Sequence, residues 1–92
     1  MIKSFKHKGL KKFFEEGVIK GIQVKHKYKL KLILDYLDAM EDIKDINIPS
    51  LKLHLLEPKQ NGVYSVTVSG NWRITFRYEA NHVYIVDYLD YH

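Results

Sequence analysis

The sequence of 92 residues contains no cysteine, only two prolines and five glycines. Without cysteine the chain can form neither a disulfide framework nor a thiolate metal site. No apolar run approaches the ~20 residues that a membrane-spanning helix needs, and residues 1–8 lack the apolar core of a signal peptide. We therefore expect a single domain, residues 1–92, that is located in the cytoplasm.

The charge of the chain is unevenly distributed. Residues 1–31 contain ten lysines against Glu15 and Glu16, a net charge of +8, whereas residues 32–92 contain five basic and nine acidic groups, a net charge of −4. An excess of lysine in one half indicates a polyanion or an acidic protein as a partner. A lysine face that contacts only solvent is the alternative, and the charge distribution is compatible with both.

The first half of the chain has the periodicity of helices. Leu10, Phe13 and Phe14 share one face of a helix predicted over residues 7–16, and Gly17 is a typical C-terminal stop.

A second, longer helix is predicted over residues 22–40. Its buried stripe consists of Leu30, Ile33, Leu34, Leu37 and Met40. Lysines crowd its N-terminal half, where they oppose the helix dipole. One further turn is predicted over residues 41–46, and Ile48-Pro49 then forces an extended exit.

The C-terminal third, residues 61–92, is predicted to form three consecutive strands joined by short turns. Apolar and polar residues alternate there with the period that is typical of a half-buried strand. The apolar face is formed by Tyr64, Val66, Val68, Trp72, Ile74, Phe76, Tyr78, Tyr84, Val86 and Tyr88. The other face carries serine, threonine, Arg73 and Arg77, and unpaired arginines favour water or an anion.

Two further segments are predicted to be strands. Residues 2–5 could form a short strand in which Ile2 and Phe5 face opposite ways. Residues 51–56 form another, with the leucines at 51, 53 and 55 on one face and His54 on the other. The chain is therefore predicted to be an α+β domain in which two N-terminal helices pack on one face of a mainly antiparallel, curved sheet of four or five strands.

The open face of this sheet would gather residues that suit one chemistry. Its cationic, histidine-containing patch consists of Lys52, His54, Arg73 and Arg77. The last strand brings an acidic and aromatic tail to its edge, which consists of Asp90, Tyr91 and His92. The sequence has no H-E-x-x-H motif, no glycine-rich phosphate loop and no G-x-S-x-G motif.

Those residue types suit cleavage of RNA without a metal or other cofactor. The ribose 2′-hydroxyl is an internal nucleophile, so the protein needs only to move protons and stabilise charge on the phosphorane. Histidine can transfer protons near neutral pH, arginine can hold a phosphate, and tyrosine can stack on a base. Each also has a structural interpretation: a surface histidine, a structural arginine, core tyrosines and a frayed chain end.

Four segments resemble one family of toxins. They are the opening MIKSFKHKGLKKFFEEG, the stretch LKLHLL, the hairpin GVYSVTVSGNWRITFRYE and the closing VYIVDYLDYH. In these segments the chain is similar to the HigB-type toxins of the RelE/ParE superfamily, which are also described as plasmid-maintenance killer proteins. The resemblance implies the compact RelE fold, with helices on a curved sheet.

The resemblance also implies a function. Toxins of this family are endoribonucleases that enter the ribosomal A site and cut messenger RNA during translation without a metal. They are neutralised by a helix-turn-helix antitoxin of the HigA type. A central role in proton transfer is implied for His92, with support from His54, Asp90 and Tyr91.

RNA contacts are implied at further positions. Arg73 is expected to hold the scissile phosphate and Asn71 to contact the A-site codon, and Arg77 is a further candidate for RNA binding on the same face. The family often has a catalytic lysine where this chain has Glu57, and Lys59 can reach the same space to contact RNA. Two alternatives stay open: a superfamily toxin that binds a protein target without cutting RNA, and a degenerate member that only binds its antitoxin.

Overall fold

The computed structural model of the protein describes residues 1–56 and 62–90. It contains a four-stranded sheet in the order β1-β2-β3-β4, in which each strand is antiparallel to its neighbour. The strands are β1 (His54–Leu55), β2 (Val63–Ser69), β3 (Trp72–Glu79) and β4 (His82–Asp90). Helices α1 (Lys8–Glu16) and α2 (Lys27–Ala39) share one apolar core with it, which confirms the predicted α+β fold. No helix in this described part of the chain has the length and apolar character needed to cross a membrane.

Helix α1 begins and ends close to where the sequence predicts. His7 caps its N-terminus, because the His7 Nδ1 accepts a hydrogen bond from the backbone N–H of Leu10 at 2.9 Å. Gly17 ends the helix in the left-handed region at φ 74°, and its N–H donates to the Phe13 carbonyl. Glycine adopts this conformation without the steric penalty of a Cβ atom. Leu10 and Phe13 turn inward and are buried.

Helix α2 begins at Lys27, five residues later than residue 22, where the sequence predicted its start. The preceding segment packs closely against α1 instead. Gly21 and Gly9 lie so near each other that a Cβ atom on Gly21 would be 2.7 Å from the Gly9 Cα. A single 3-10 turn, Val24–His26, then leads into the helix. The apolar stripe predicted for α2 is confirmed, and all of its members are buried: Leu30, Ile33, Leu34, Leu37 and Met40.

Two 3-10 turns, Ile43–Ile46 and Pro49–Leu51, connect α2 to β1, and the first is the predicted additional turn. The longer strand predicted after them is reduced to β1, because Lys52 lies in the left-handed region at φ 49° and interrupts the extended backbone. Leu51 is buried, whereas Leu55 is 51% exposed on this edge strand. The prediction of one shared face for the three leucines is therefore wrong for Leu55.

The N-terminal segment runs along the outer edge of β4. Ile2 and Phe5 form isolated parallel bridges with Val83 and Val86, and the Lys3 N–H donates to the Val83 carbonyl at 2.7 Å. Ile2 and Phe5 both pack against the core, so the prediction that they face opposite ways is wrong. Their spacing of three residues departs from the strict alternation of a regular strand.

A β-bulge interrupts β4. The register between β3 and β4 shifts between Thr75 and Arg77, and Ile85 lies at φ 48° on the bulged strand. A bulge adds one residue to one strand, so the alternation of the side chains is offset across it. Val83 is therefore buried, and Tyr84 lies opposite Arg77 on the other face. The prediction that Tyr84 belongs to the apolar face is wrong.

Candidate active site

One row of side chains crosses the sheet on the face away from the helices. His54 on β1 pairs with Ser65, which pairs with Thr75, which pairs with Asp87 on β4. Residues directly opposite each other in antiparallel strands point to the same face. The exposed imidazole of His54 on β1 and the carboxylate of Asp87 on β4 therefore lie in the same row across one face of the sheet.

The two arginines flank this row. Arg73 and Arg77 lie on β3 on either side of Thr75, in register with Leu89 and Tyr84 of β4. Alternate residues of a strand are about 7 Å apart along it, so the Cα atoms of Arg73 and Arg77 each lie about 7 Å from that of Thr75 in the row. Apart from Ser65, every residue in the row of His54 and in the two flanking rows of Arg73 and Arg77 is at least partly exposed. This side of the sheet is therefore open to a ligand. The prediction that Arg73 and Arg77 share the face opposite the core is confirmed.

Arg73 is anchored from the β2–β3 turn. Its Nη1 donates to the Gly70 carbonyl at 2.6 Å and to the Trp72 carbonyl at 3.2 Å. These bonds fix the side chain through one nitrogen, and a guanidinium has further N–H donors in the same plane. The geometry suits a group that is held in place while it binds an anion.

Arg77 is less well satisfied. Its Nε is buried and has no hydrogen-bond partner among residues 1–56 and 62–90. A buried polar group without a partner costs free energy, and the cost is larger for a charged group. Because Nε is buried, an incoming phosphate could meet only the accessible part of this half-buried side chain.

The remaining predicted site residues fall into two groups. Asn71 is exposed in the turn between β2 and β3, and Asp90 is exposed at the end of β4. Asp90 pairs with Trp72, so it lies on the Trp72 side of the strand rather than on the Arg73 side, at the same end of the sheet as Asn71. The other three, Lys59, Tyr91 and His92, lie outside the described residues, as does Glu57 at the position of the family's lysine.

Sequence reasoning missed two residues of the open face. Tyr84 comes to lie beside Arg77 only because of the bulge, which the alternation of the sequence does not announce. Asp87 is half-buried in the row of His54, and its Oδ2 is 4.0 Å from the Lys6 Nζ. The position of Asp87 could have been predicted from alternation. Its neighbours Val86 and Tyr88 were both predicted to face the core, so Asp87 between them should face the other way.

A second polar group lies on the helix side, at the end of the sheet that carries Arg73. His26 is 3% exposed, and its Nδ1 is 2.6 Å from the hydroxyl of Tyr88. Burial, and then the charge of Lys25, lowers the pKa of His26, while burial raises the pKa of Tyr88. Both side chains are therefore neutral near pH 7. The centroid of the Trp72 ring lies 4.7 Å from that of the Tyr88 ring.

Comparisons with known proteins show what the chain is similar to. The model of the HigB-like toxin family, described as the RelE-like toxin of the type II toxin–antitoxin system HigB, matches residues 3–92. The chain is 44% identical over 92 residues to the protein named Endoribonuclease HigB of Proteus vulgaris, and the match covers all of both chains. It is also 37% identical over 90 residues to an uncharacterized protein of Haemophilus influenzae, covering 96% of this chain and 88% of that protein.

The family match and the relatives extend over the sheet, the helices and both ends of the chain, so the resemblance is not limited to one motif. The chain belongs to the HigB-like toxins, the RelE-like toxins of type II toxin–antitoxin systems, and its partner is the antitoxin of such a system.

Proposed function

We propose that this toxin is an endoribonuclease that cuts messenger RNA in the ribosomal A site by metal-independent attack of a ribose 2′-hydroxyl on the adjacent phosphate. The observation that carries the proposal is the open sheet face, on which an exposed His54 and two arginines accompany a carboxylate. The full-length relative named Endoribonuclease HigB supports the same activity.

The reaction needs two proton transfers and one site for negative charge. A base removes the proton from the 2′-hydroxyl, and the oxygen attacks phosphorus as the bond to the 5′-oxygen breaks. An acid donates a proton to that 5′-oxygen, which leaves a 2′,3′-cyclic phosphate and a 5′-hydroxyl end. Arg73 neutralises charge on the phosphorane, because its guanidinium is already fixed by the Gly70 and Trp72 carbonyls.

We assign the proton transfers to His92 with His54, Asp90 and Tyr91 in support, following the resemblance of the sequence to the family. His54 is exposed on the open face, so it can exchange protons with solvent or substrate. Asp90 is exposed at the end of β4 and directly precedes Tyr91 and His92 in the sequence; since it pairs with Trp72, a role at the Arg73 phosphate requires its carboxylate to act around the end of the sheet.

The substrate contacts follow from position on the sheet. Asn71 is exposed in the β2–β3 turn next to Arg73, where it can contact the codon. We assign Arg77 to a neighbouring phosphate through the accessible part of its half-buried side chain, and we assign Lys59 to RNA binding on the resemblance alone. Tyr84 adds an aromatic ring beside Arg77 on which a base can stack.

Lysines on the helix side suit contact with ribosomal RNA. Lys8, Lys12 and Lys20 are exposed and line a groove of about 480 Å³ between α1 and the segment before α2. A lysine-rich groove attracts phosphates regardless of sequence. We further propose that the toxin acts in the cytoplasm on the 30S subunit and that its antitoxin is a HigA-type helix-turn-helix protein.

The proposal is tested by mapping messenger RNA 5′ ends in growing cells that express the toxin. We expect new in-frame cuts that disappear in His54→Ala and Arg73→Gln, and that persist in Lys44→Gln, a matched exposed control outside the open face. Growth arrest without new 5′ ends would reject nuclease activity and favour a toxin that acts on a protein target. Cuts of equal strength on free RNA and on ribosomes would reject ribosome dependence.

A further inference from the structure

Three aromatic side chains, two of them buried and one half-buried, meet under the end of the sheet that carries Arg73. They come from the turn before α2, the start of β3 and the end of β4, and they are His26, Trp72 and Tyr88. The ring centroids of Trp72 and Tyr88 are 4.7 Å apart, and those of His26 and Trp72 are 5.6 Å apart with an interplanar angle of 66°. We call this group the His26 cluster.

Two hydrogen bonds join this cluster to the turn before α2. The Gln23 backbone N–H donates to the Tyr88 hydroxyl oxygen at 3.4 Å, and the Tyr88 hydroxyl oxygen lies 2.6 Å from the His26 Nδ1. We assign the Tyr88 O–H as the donor to Nδ1, which puts the proton of the neutral imidazole on Nε2; the other tautomer would reverse the direction of this bond. If the rings moved apart, both the Tyr88 hydroxyl and the His26 Nδ1 would lose this buried hydrogen bond, so the pair resists displacement.

The His26 Nε2 is itself buried and has no hydrogen-bond partner among residues 1–56 and 62–90. The edge-on contact of the His26 ring with Trp72 compensates weakly at most, as N–H contacts with an aromatic face do. A polar pair that leaves one buried ring nitrogen unsatisfied is a poor means of stabilising a core. Both rings of the pair contact the Trp72 ring, so the pair restricts where that ring can lie.

That geometry extends directly to the proposed phosphate-binding residue. Trp72 immediately precedes Arg73, and the Trp72 carbonyl accepts one of the two bonds that hold the Arg73 Nη1. Displacement of Trp72 would move both the strand residue and the carbonyl that orients the guanidinium. Tyr88 is two residues before Asp90, which pairs with Trp72, so the cluster also fixes the end of β4.

A second histidine also contacts Tyr88. The His7 ring contacts the Tyr88 ring at 5.5 Å with an interplanar angle of 62°, while its Nδ1 caps α1. Tyr88 is therefore held between the start of α1 and the turn before α2.

We propose that His26 and Tyr88 are positioning residues that hold Trp72, and through it Arg73, in the orientation needed to bind the scissile phosphate. The inference rests on the proposed function, because it assigns these residues a role in that same cleavage. Neither residue touches the substrate, since both are buried on the helix side of the sheet.

The test compares single-turnover cleavage of ribosome-bound messenger RNA by Tyr88→Phe, His26→Leu, His26→Asn and the double variant Tyr88→Phe/His26→Leu. A misplacement of a catalytic group by about 1 Å can cost up to ~100-fold in rate, so we expect a loss of about tenfold at saturating toxin. The toxin concentration for half-maximal rate should not change, because ribosome contacts are untouched. Tyr36→Phe, an exposed tyrosine on α2, is the matched control.

Two further expectations separate positioning from simple stability. The double variant should be no slower than the slower single variant, because both remove the same hydrogen bond. His26→Asn should recover most of the rate, because its amide oxygen can take the place of Nδ1 and accept from Tyr88. All rates are measured at a temperature where circular dichroism shows each variant fully folded, and Tyr88→Phe alone carries the test if His26→Leu does not fold.

A spectroscopic readout keeps the inference independent of cleavage. Trp72 is the only tryptophan, so its fluorescence should change in Tyr88→Phe and in His26→Leu but not in Tyr36→Phe. The side-chain NMR resonance of Arg73 Nε should shift in the same two variants. A folded Tyr88→Phe with the wild-type rate and an unshifted Arg73 resonance would overturn the inference. A wild-type toxin that cuts nothing, with the Arg73 resonance still coupled to Tyr88, would instead overturn the proposed function.

Discussion

Replacement of Gly9 by alanine is expected to destabilise the protein, although alanine normally favours a helix. A Cβ atom at this position would lie 2.8 Å from the Gly21 carbonyl oxygen, 2.9 Å from its Cα and 3.1 Å from its carbonyl carbon. All three are backbone atoms, so no side-chain rotation relieves the contact. The segment before α2 must move away from α1 instead.

The size of the effect follows from two opposing terms. Overpacking of this kind costs about 1–3 kcal/mol, whereas glycine-to-alanine replacement inside a helix returns at most ~1 kcal/mol. Because three backbone atoms are contacted at 2.8–3.1 Å, we take the upper part of the overpacking range, about 2–3 kcal/mol, which leaves a net loss of about 1–2 kcal/mol in the free energy of unfolding. For a domain of this size, 1 kcal/mol corresponds to about 4–8 °C in melting temperature, so Gly9→Ala should melt roughly 5–15 °C below the wild type.

Thermal unfolding followed by circular dichroism measures this change, and Lys11→Ala, at an exposed position of the same helix, is the control that should melt close to the wild type. Gly17→Ala separates steric contact from backbone strain: no heavy atom lies within 4 Å of its Cβ position, so its loss of about 1–2 kcal/mol would come from the strain of φ 74° alone. Gly21→Ala tests the same contact from the other side and should be destabilised as well. A Gly9→Ala variant as stable as the wild type would refute the reasoning, since it would mean that the two backbones separate without cost.

Three further outcomes are expected. The pKa of His26 is lowered below 6.5 in the folded state, so below pH 6.5 the unfolded chain binds a proton more readily than the folded chain does. The free energy of unfolding should therefore decrease as the pH drops below 6.5. Urea unfolding of His26→Asn should show a smaller decrease. Neutralising Lys8, Lys12 and Lys20, which line one groove, should weaken ribosome binding and flatten its salt dependence, whereas Lys44→Gln should change neither. Tyr84→Ala should slow cleavage at limiting toxin by roughly tenfold without loss of folding, given about 1–3 kcal/mol for a stacked base, and an unchanged rate would exclude Tyr84 from the site.

Local signals explain why much of the fold was predictable. The end of α1 depends on Gly17, and the buried stripe of α2 on a helical period, and both are properties of neighbouring residues. The same holds for β3, where strict alternation separates Ile74 and Phe76 from Arg73.

The errors have causes that no short stretch of sequence contains. Lys52 and Ile85 adopt positive φ angles, which lysine and isoleucine rarely do, so the composition gives no warning of the interrupted strand or of the bulge. The late start of α2 depends on Gly21 meeting Gly9, which lies twelve positions earlier.

The candidate site also has a part that local sequence patterns predict and a part that they do not. His54, Arg73 and Arg77 were placed on one face from alternation alone, and their register confirms this placement. The pair of His26 and Tyr88 was not foreseen, because the two residues are 62 positions apart and a lone histidine before a helix has no pattern that names its partner.

The first residues of the chain also protect the sheet from unwanted self-association. Four backbone hydrogen bonds of 2.7–3.1 Å join residues 1–6 to Val83 and Val86 and occupy the outer side of β4, its longest strand. At the opposite margin, β1 is only two residues long and offers little template for another chain. A toxin released from its antitoxin can therefore stay dispersed rather than polymerise through its strands, and a fusion that pulls the first six residues away would be expected to form aggregates.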